Sequence, residues 1–250
     1  MNGEALTVVT GGGSGMGRDI ALDQARLGNE VLVAGRRGDA LDETAALATG
    51  PARISTVVAD ASTPDGAAAI LAAVQGRKVR AVVAAAGGQG GFKEPGAALQ
   101  EVEAAWSAAL RQNLFSAVLP VEALLPSMPQ DEGRIVLIGS TAGLDGRGGP
   151  YATAKAALAG YGRDLAVRAG KRGITANTVA PGFVASTGFF EAGGYGDSGP
   201  MTPIMAARTL VGRVGQPRDV TACVRWLLDV DSGWITGQTI AVDGGSIMLR

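Results

Sequence analysis

The sequence predicts an α/β fold: a doubly wound parallel sheet of about seven strands with helices on both faces. Three observations predict it. Short apolar runs rich in β-branched residues alternate with longer helical patterns along the chain. The runs carry no polar–apolar alternation, so both faces of each strand must be covered. Glycine makes up 39 of the 250 residues, a density that suits close helix–sheet packing and close backbone approach to a ligand.

The elements follow in order. Strand one is the run Leu6–Thr10, stopped by a glycine cluster, after which an Ala- and Leu-rich stretch predicts a helix over 16–27. Val31–Ala34 is the second strand, with a helix over 39–48, and Ile54–Ala59 the third, with a helix over 65–75. Ala81–Ala86 is the fourth strand, and a long apolar pattern predicts one continuous helix over 98–126. Ile135–Gly139, a helix over 150–170, Ile174–Ala180, a helix over 217–229 and Thr239–Val242 complete the alternation. No charge block, proline-rich linker or composition break divides the chain, so residues 1–250 are expected to form one domain. Residues 187–200 break the rhythm. They are glycine-rich and carry Phe189, Phe190 and Tyr195, which predicts a lid over a substrate.

Composition excludes several chemistries. Lys plus Arg number 22 and Asp plus Glu 23, a formal net charge of −1 that argues against nucleic-acid or polybasic membrane binding. The chain has no histidine, which removes Ser-His-Asp and Cys-His nucleophiles and every His-ligated metal. Cys223 is its only cysteine, so no intrachain disulfide or Cys-rich zinc site can form. The N-terminal stretch reads as neither a signal peptide nor a membrane span, and a cytoplasmic protein is expected.

The turn Thr10-Gly11-Gly12-Gly13-Ser14-Gly15-Met16-Gly17 stands between the first strand and the first helix. There, glycines let a pyrophosphate approach the N–H groups of a helix N-terminus. The second strand runs into Gly35-Arg36-Arg37, with no carboxylate to hold a ribose 2′-hydroxyl. A guanidinium pairs with a 2′-phosphate instead, which points to NADP(H).

Tyr151 and Lys155 are four residues apart on a helical stretch and share one face. A lysine beside a tyrosine stabilises the phenolate and lowers a pKa that starts near ~10, which makes a general acid or base. Ser140 ends the fifth strand, where ligand crevices form in open α/β sheets. Asn113 is a polar amide inside the 98–126 helix, a place disfavoured without a task.

With Asp60 after strand three, Asn177-Thr-Val-Ala-Pro181-Gly182 and the closing Gly237-Gln-Thr-Ile-Ala-Val-Asp-Gly-Gly245, these motifs jointly resemble the short-chain dehydrogenase/reductase family over nearly the whole chain. The chain is most similar in character to its 3-oxoacyl-carrier-protein reductase-like ketoreductases. The resemblance implies a Rossmann-type sheet, NADP(H), a small-molecule carbonyl substrate, possible carrier attachment of that substrate, and a homotetramer. It implies that Tyr151 protonates the carbonyl oxygen, Ser140 hydrogen-bonds it, Lys155 holds the nicotinamide ribose and Asn113 holds a water linked to Lys155. Gly11, Gly13, Ser14, Gly15, Met16, Gly17, Asp60, Ala61, Ala86 and Gly87 would line the cofactor site with Arg36 and Arg37. Pro181, Gly182, Val184 and Ser186 would flank the nicotinamide. Gln89, Phe92, Arg147, Phe183, Phe189, Phe190 and Tyr195 are the candidate substrate contacts, and their low charge suits a neutral ketone.

The chain departs from the family after strand four, where Ala84-Ala85-Ala86-Gly87 replaces an Asn-Asn-Ala-Gly pattern. The final Ile247-Met248-Leu249 is expected to bury against a partner subunit. Two other readings stay open: an enzyme of this fold acting on an imine, enone or sugar alcohol, and a non-catalytic NADP-binding regulator.

Overall fold

The computed structural model describes residues 6–89, 96–188 and 201–248. Its sheet holds seven parallel strands in the order β3-β2-β1-β4-β5-β6-β7. The strands are β1 (Leu6–Thr10), β2 (Glu30–Gly35), β3 (Ile54–Val58), β4 (Val79–Ala84), β5 (Arg134–Ile138), β6 (Thr175–Pro181) and β7 (Thr239–Val242). The helices between them are α1 (Gly15–Arg26), α2 (Gly38–Ala46), α3 (Pro64–Val74), α4 (Leu99–Leu110), α5 (Ser116–Leu124), α6 (Ala142–Asp145), α7 (Gly149–Gly170), α8 (Met201–Ala207) and α9 (Pro217–Leu228). The order reverses between β1 and β4, so a crevice opens at their carboxyl ends.

The strands lack polar alternation because each supplies two cores. Leu6 and Val8, Val82 and Ala84, and Ile135 and Leu137 point to one face, where they join Ile70, Leu124, Leu158 and Leu165 from the helices. Val9, Ala81, Val83, Val136 and Ile138 point to the other face and meet Ile20, Val220, Val224 and Leu227. The period of two is therefore present in the burial pattern though invisible in polarity.

The helix expected over 98–126 is interrupted. A π-helical turn, Arg111–Phe115, separates α4 from α5, and a 3₁₀ turn, Leu125–Ser127, closes the segment. Two features lie beside the break. Pro120 has no N–H to donate within α5. The Ser116 hydroxyl donates to the Gln112 carbonyl at 2.7 Å.

The last helix is fixed at both ends. Its face meets α1, where Arg225 grips the buried Asp23 with two bonds of 2.7 and 2.8 Å, and Thr221 donates to Asp19 at 2.5 Å. At its C-terminus, free carbonyls face the sheet. Arg80 in β4 donates to the Leu228 carbonyl at 3.0 Å. Arg134, only 1% exposed at the start of β5, donates to the Asp229 carbonyl at 3.2 Å and the Val230 carbonyl at 3.1 Å. Two cations thus complement the negative end of the helix dipole.

The apolar tail divides. Ile247 is half-buried in its own subunit, Met248 is 74% exposed, and Leu249 lies outside the described residues. Among the described residues no helix is long and apolar enough to cross a membrane.

Candidate active site

A cavity of about 1490 Å³ follows the crevice from the glycine turn to the α6–α7 region. At one end lies the turn between β1 and α1. Ser14 N-caps α1 without a side-chain bond, and no acid stands in the first helical turn, so its N–H groups stay available to an anion. The turn is clasped from α2. Arg18 donates to the Gly13 carbonyl (2.7 Å), Glu43 (2.6 Å) and Thr44 (3.0 Å), and Thr44 donates to the Gly12 carbonyl (3.0 Å).

The cations expected after β2 are in place. Arg36 lines the cavity and makes no hydrogen bond or ion pair among the described residues. Arg37 caps α2 and reaches Ser14 at 3.4 Å, linking the two walls. Asp60 accepts from the Ser62 hydroxyl (2.7 Å) and N–H (3.0 Å). Those bonds, with Arg36 and Arg111 nearby, hold its carboxyl below the usual range. Ala61, Ala86 and Gly87 line the same end.

The Ala84-Ala85 departure leaves no orphaned group at the next peptide. The Ala86 N–H donates to Thr10 Oγ1 at 3.2 Å, and the Ser116 hydroxyl lies 3.1 Å from the Ala86 carbonyl. Two hydroxyls from β1 and α5 hold the end of β4. Gly87 then passes so close to the catalytic candidates that a Cβ there would stand 2.9 Å from Asn113 Oδ1 and 3.2 Å from Lys155 Nζ.

Ser140, Tyr151 and Lys155 meet in the cavity's centre. Between Ser140 and Tyr151 the chain makes α6 and a glycine turn, with Gly146 at φ 75° and Gly148 at φ 127°. Gly143 lies flat on α7, where a Cβ would come 2.7 Å from the Ala156 nitrogen. This contact fixes the serine against the tyrosine. The Ala142 N–H donates to Ser140 Oγ at 3.2 Å, orienting the hydroxyl, which is hydrogen-bonded to Tyr151. Asn113, fully buried on the π turn, donates to the Ala109 carbonyl (3.2 Å) and accepts from the Gly88 N–H (3.0 Å).

Burial dominates the electrostatics of the pair. Burial pushes the Tyr151 phenol up, and only the Ser140 hydrogen bond acts against it. Lys155 packs beside the ring. Its Nζ is 5.9 Å from the tyrosine ring centre and donates to the Ile138 carbonyl at 2.8 Å. Burial brings the lysine itself down to about 8.

That depression makes a prediction about stability. The unfolded chain keeps this amine protonated to about 10.5, while the fold releases the proton near about 8. Between those values the unfolded state binds more protons, so native stability rises with pH across that window. Urea unfolding of Lys155→Met across the window should show a flatter rise than the wild type. Parallel curves would mean that burial does not depress the amine.

Pro181, Gly182, Phe183 and Val184 line the cavity's far side, and Val184 is held by a bridge to Gly215. Ser186 is off the cavity wall, in a left-handed conformation (φ 56°), and Thr187 takes its place there. Gln89 also lies off the wall. Arg147 lines the cavity, engaged by Asp145 at 2.7 Å. Phe92, Phe189, Phe190 and Tyr195 lie outside the described residues, as does most of the expected lid. Sequence reasoning missed Arg111, Gln112, Met205 and Arg208 on the wall. Gln112 had a signal beside Asn113, whereas Arg208 had none in its local pattern.

Comparison with known proteins agrees with this geometry. A family model described as enoyl-(acyl carrier protein) reductase matches residues 11–246. The chain is 32% identical to the (2S)-[(R)-hydroxy(phenyl)methyl]succinyl-CoA dehydrogenase subunit BbsD of Thauera aromatica, over 96% of this chain and 95% of that protein. It is 33% identical to the short-chain reductase protein NovJ of Streptomyces niveus, over 97% of this chain and 94% of that protein. A solved short-chain dehydrogenase/reductase variant of Serratia marcescens superposes with a TM-score of 0.86 at 26% identity, covering 98% of each chain.

Proposed function

Because this chain belongs to the short-chain dehydrogenase/reductase family of oxidoreductases, we propose that it reduces a ketone to an alcohol with NADPH, Tyr151 serving as general acid. The observation that carries the reading is one shared cavity: the glycine turn, the free Arg36 and the Ser140–Tyr151–Lys155 group all line it. Named reductase and dehydrogenase relatives favour carbonyl and alcohol chemistry over the regulator reading.

The residues fit NADP(H). The α1 N-terminus offers uncapped N–H groups, and Gly11, where a Cβ would stand 2.8 Å from the Ala86 backbone, lets the turn pack directly on the end of β4. Arg36 would take the 2′-phosphate, Asp60 would accept from the adenine amino group, and Lys155 would hold the nicotinamide ribose. When bound, the cofactor supplies the hydride. Ser140 donates to the carbonyl oxygen and orients it. Tyr151, kept as a neutral phenol by burial, donates its proton to that oxygen. Lys155, anchored on the Ile138 carbonyl, puts a positive charge beside the forming phenolate when protonated. Asn113 fixes the Gly88 peptide beneath this group.

Cofactor choice is tested at β2. Arg36→Asp should lower the preference for NADPH over NADH by about tenfold or more, near the ~1.4 kcal/mol of one charge-assisted contact. Steady-state kinetics with both cofactors reads the ratio. An unchanged ratio would transfer the role to Arg37. Turnover of a ketone panel with NADPH tests the reading as a whole, and absence of reduction for every ketone would remove it.

A further inference from the structure

Arg208 follows α8 directly and lines the cavity with Phe183, Met205 and Thr209. Its guanidinium has no hydrogen bond or ion pair among the described residues. The neighbouring acids are already engaged. Asp145 holds Arg147 at 2.7 Å, and Asp219 holds Arg213 at 2.6 Å. Asp243 accepts from the Gly245 N–H, the Ser246 hydroxyl and the Ile247 N–H, at 3.0, 2.8 and 2.8 Å. Among the described residues, Arg208 therefore has no carboxylate partner at this end of the cavity.

The charge sits on a fixed backbone. The Arg208 N–H donates to the Met205 carbonyl at 3.1 Å. The next residue, Thr209, accepts the Arg213 N–H at 3.2 Å. The Leu210 and Val211 N–H groups share the Gly244 carbonyl, at 2.8 and 3.2 Å, at the end of β7. A guanidinium held on a pinned segment, facing a cavity and lacking a carboxylate among the described residues, suits a carboxylate or phosphate that it can grip with two bonds.

Resting on the ketoreductase reading, we propose that the substrate is a ketone carrying an anionic group, a carboxylate or a phosphate ester, and that Arg208 is its specificity-determining anchor. This revises the neutral ketone that the apolar walls suggest, because the charge comes from a residue distant in sequence from those walls.

The test compares kcat/KM for a series of oxo acids with that for their methyl esters, and for a 3-oxoacyl thioester of phosphopantetheine with that of unphosphorylated pantetheine. Wild type, Arg208→Ala and Arg208→Lys are measured, with NADPH affinity read by fluorescence titration. The wild type should prefer the anionic member of one pair by about tenfold or more. Arg208→Ala should erase that preference by raising KM for the anion, leaving the ester or pantetheine partner and NADPH affinity unchanged. Arg208→Lys should restore part of it. Preference confined to the oxo acids identifies a carboxylate, and preference confined to the phosphorylated thioester identifies a phosphate. Equal turnover of charged and neutral ketones overturns the anchor while the ketoreductase reading stands. Weaker NADPH binding in Arg208→Ala also overturns it, by giving the guanidinium to the cofactor. No reduction of any ketone removes the ketoreductase reading and the anchor with it.

Discussion

Replacing Tyr151 by Phe is expected to lower ketone reduction by about a thousandfold, the scale of a lost general acid, while NADPH affinity stays nearly unchanged. The substitution removes one oxygen and keeps the ring that packs beside Lys155. Ser140 remains oriented by the Ala142 N–H and still offers its hydroxyl to the carbonyl. What is lost is the proton. Burial holds the phenol above its ordinary pKa, so the acid form persists through neutral pH and reduction has a donor throughout that range. The reverse reaction needs the phenolate and should gain rate as pH rises. Steady-state rates in both directions, with a fluorescence titration of NADPH, check the set. Retained reduction by the Phe variant would move the acid role to another group.

Gly17→Ala should be the most damaging single-methyl change within the glycine turn. A Cβ there would stand 2.3 Å from the Gly11 carbonyl oxygen and 2.8 Å from its carbon. Both are backbone atoms, and their neighbour Gly12 is held through its carbonyl by Thr44. No rotamer change relieves the overlap, so the turn must shift. The expected cost is roughly 2–3 kcal/mol of stability, as for overpacking in a tight interior. NADPH affinity should fall by about tenfold or more, because the displaced N–H groups no longer converge on the pyrophosphate. Thermal melts with and without NADPH read both effects. The wild type gains melting temperature from the ligand and the variant does not. An equal gain would show that the turn tolerates the methyl.

The sheet was legible because its strands are short, apolar runs between helical patterns, and a strand buried on both faces announces itself that way. All seven runs correspond to strands, with ends displaced by at most two residues. The helix after β4 was less legible. Its apolar periodicity runs through 98–126, but the π turn at Arg111–Phe115 lies beside Pro120 and the Ser116–Gln112 bond, local details that periodicity does not register. At the site, Ser140, Tyr151, Lys155 and the glycine turn share one cavity because each sits at a strand end or a helix start. Arg208 escaped because nothing in its neighbourhood marks it, and the pairing of Leu210 and Val211 with Gly244 helps to hold its segment at the crevice. The anchor of Lys155 also escaped. Spacing puts the lysine on the tyrosine's face, but the Ile138 carbonyl that captures Nζ belongs to β5.

The pair of arginines under the last helix ties the two ends of the chain's history together. Arg80 and Arg134 enter with the middle strands, yet their acceptors arrive only with residues 228–230. A nascent or truncated polypeptide ending before that point would leave Arg80 and Arg134 without these acceptors and the apolar face that Val220, Val224 and Leu227 cover open to water, a loss costly enough to keep the fragment from closing. Folding should therefore finish as a single late event, with the carboxyl-terminal helix as the keystone.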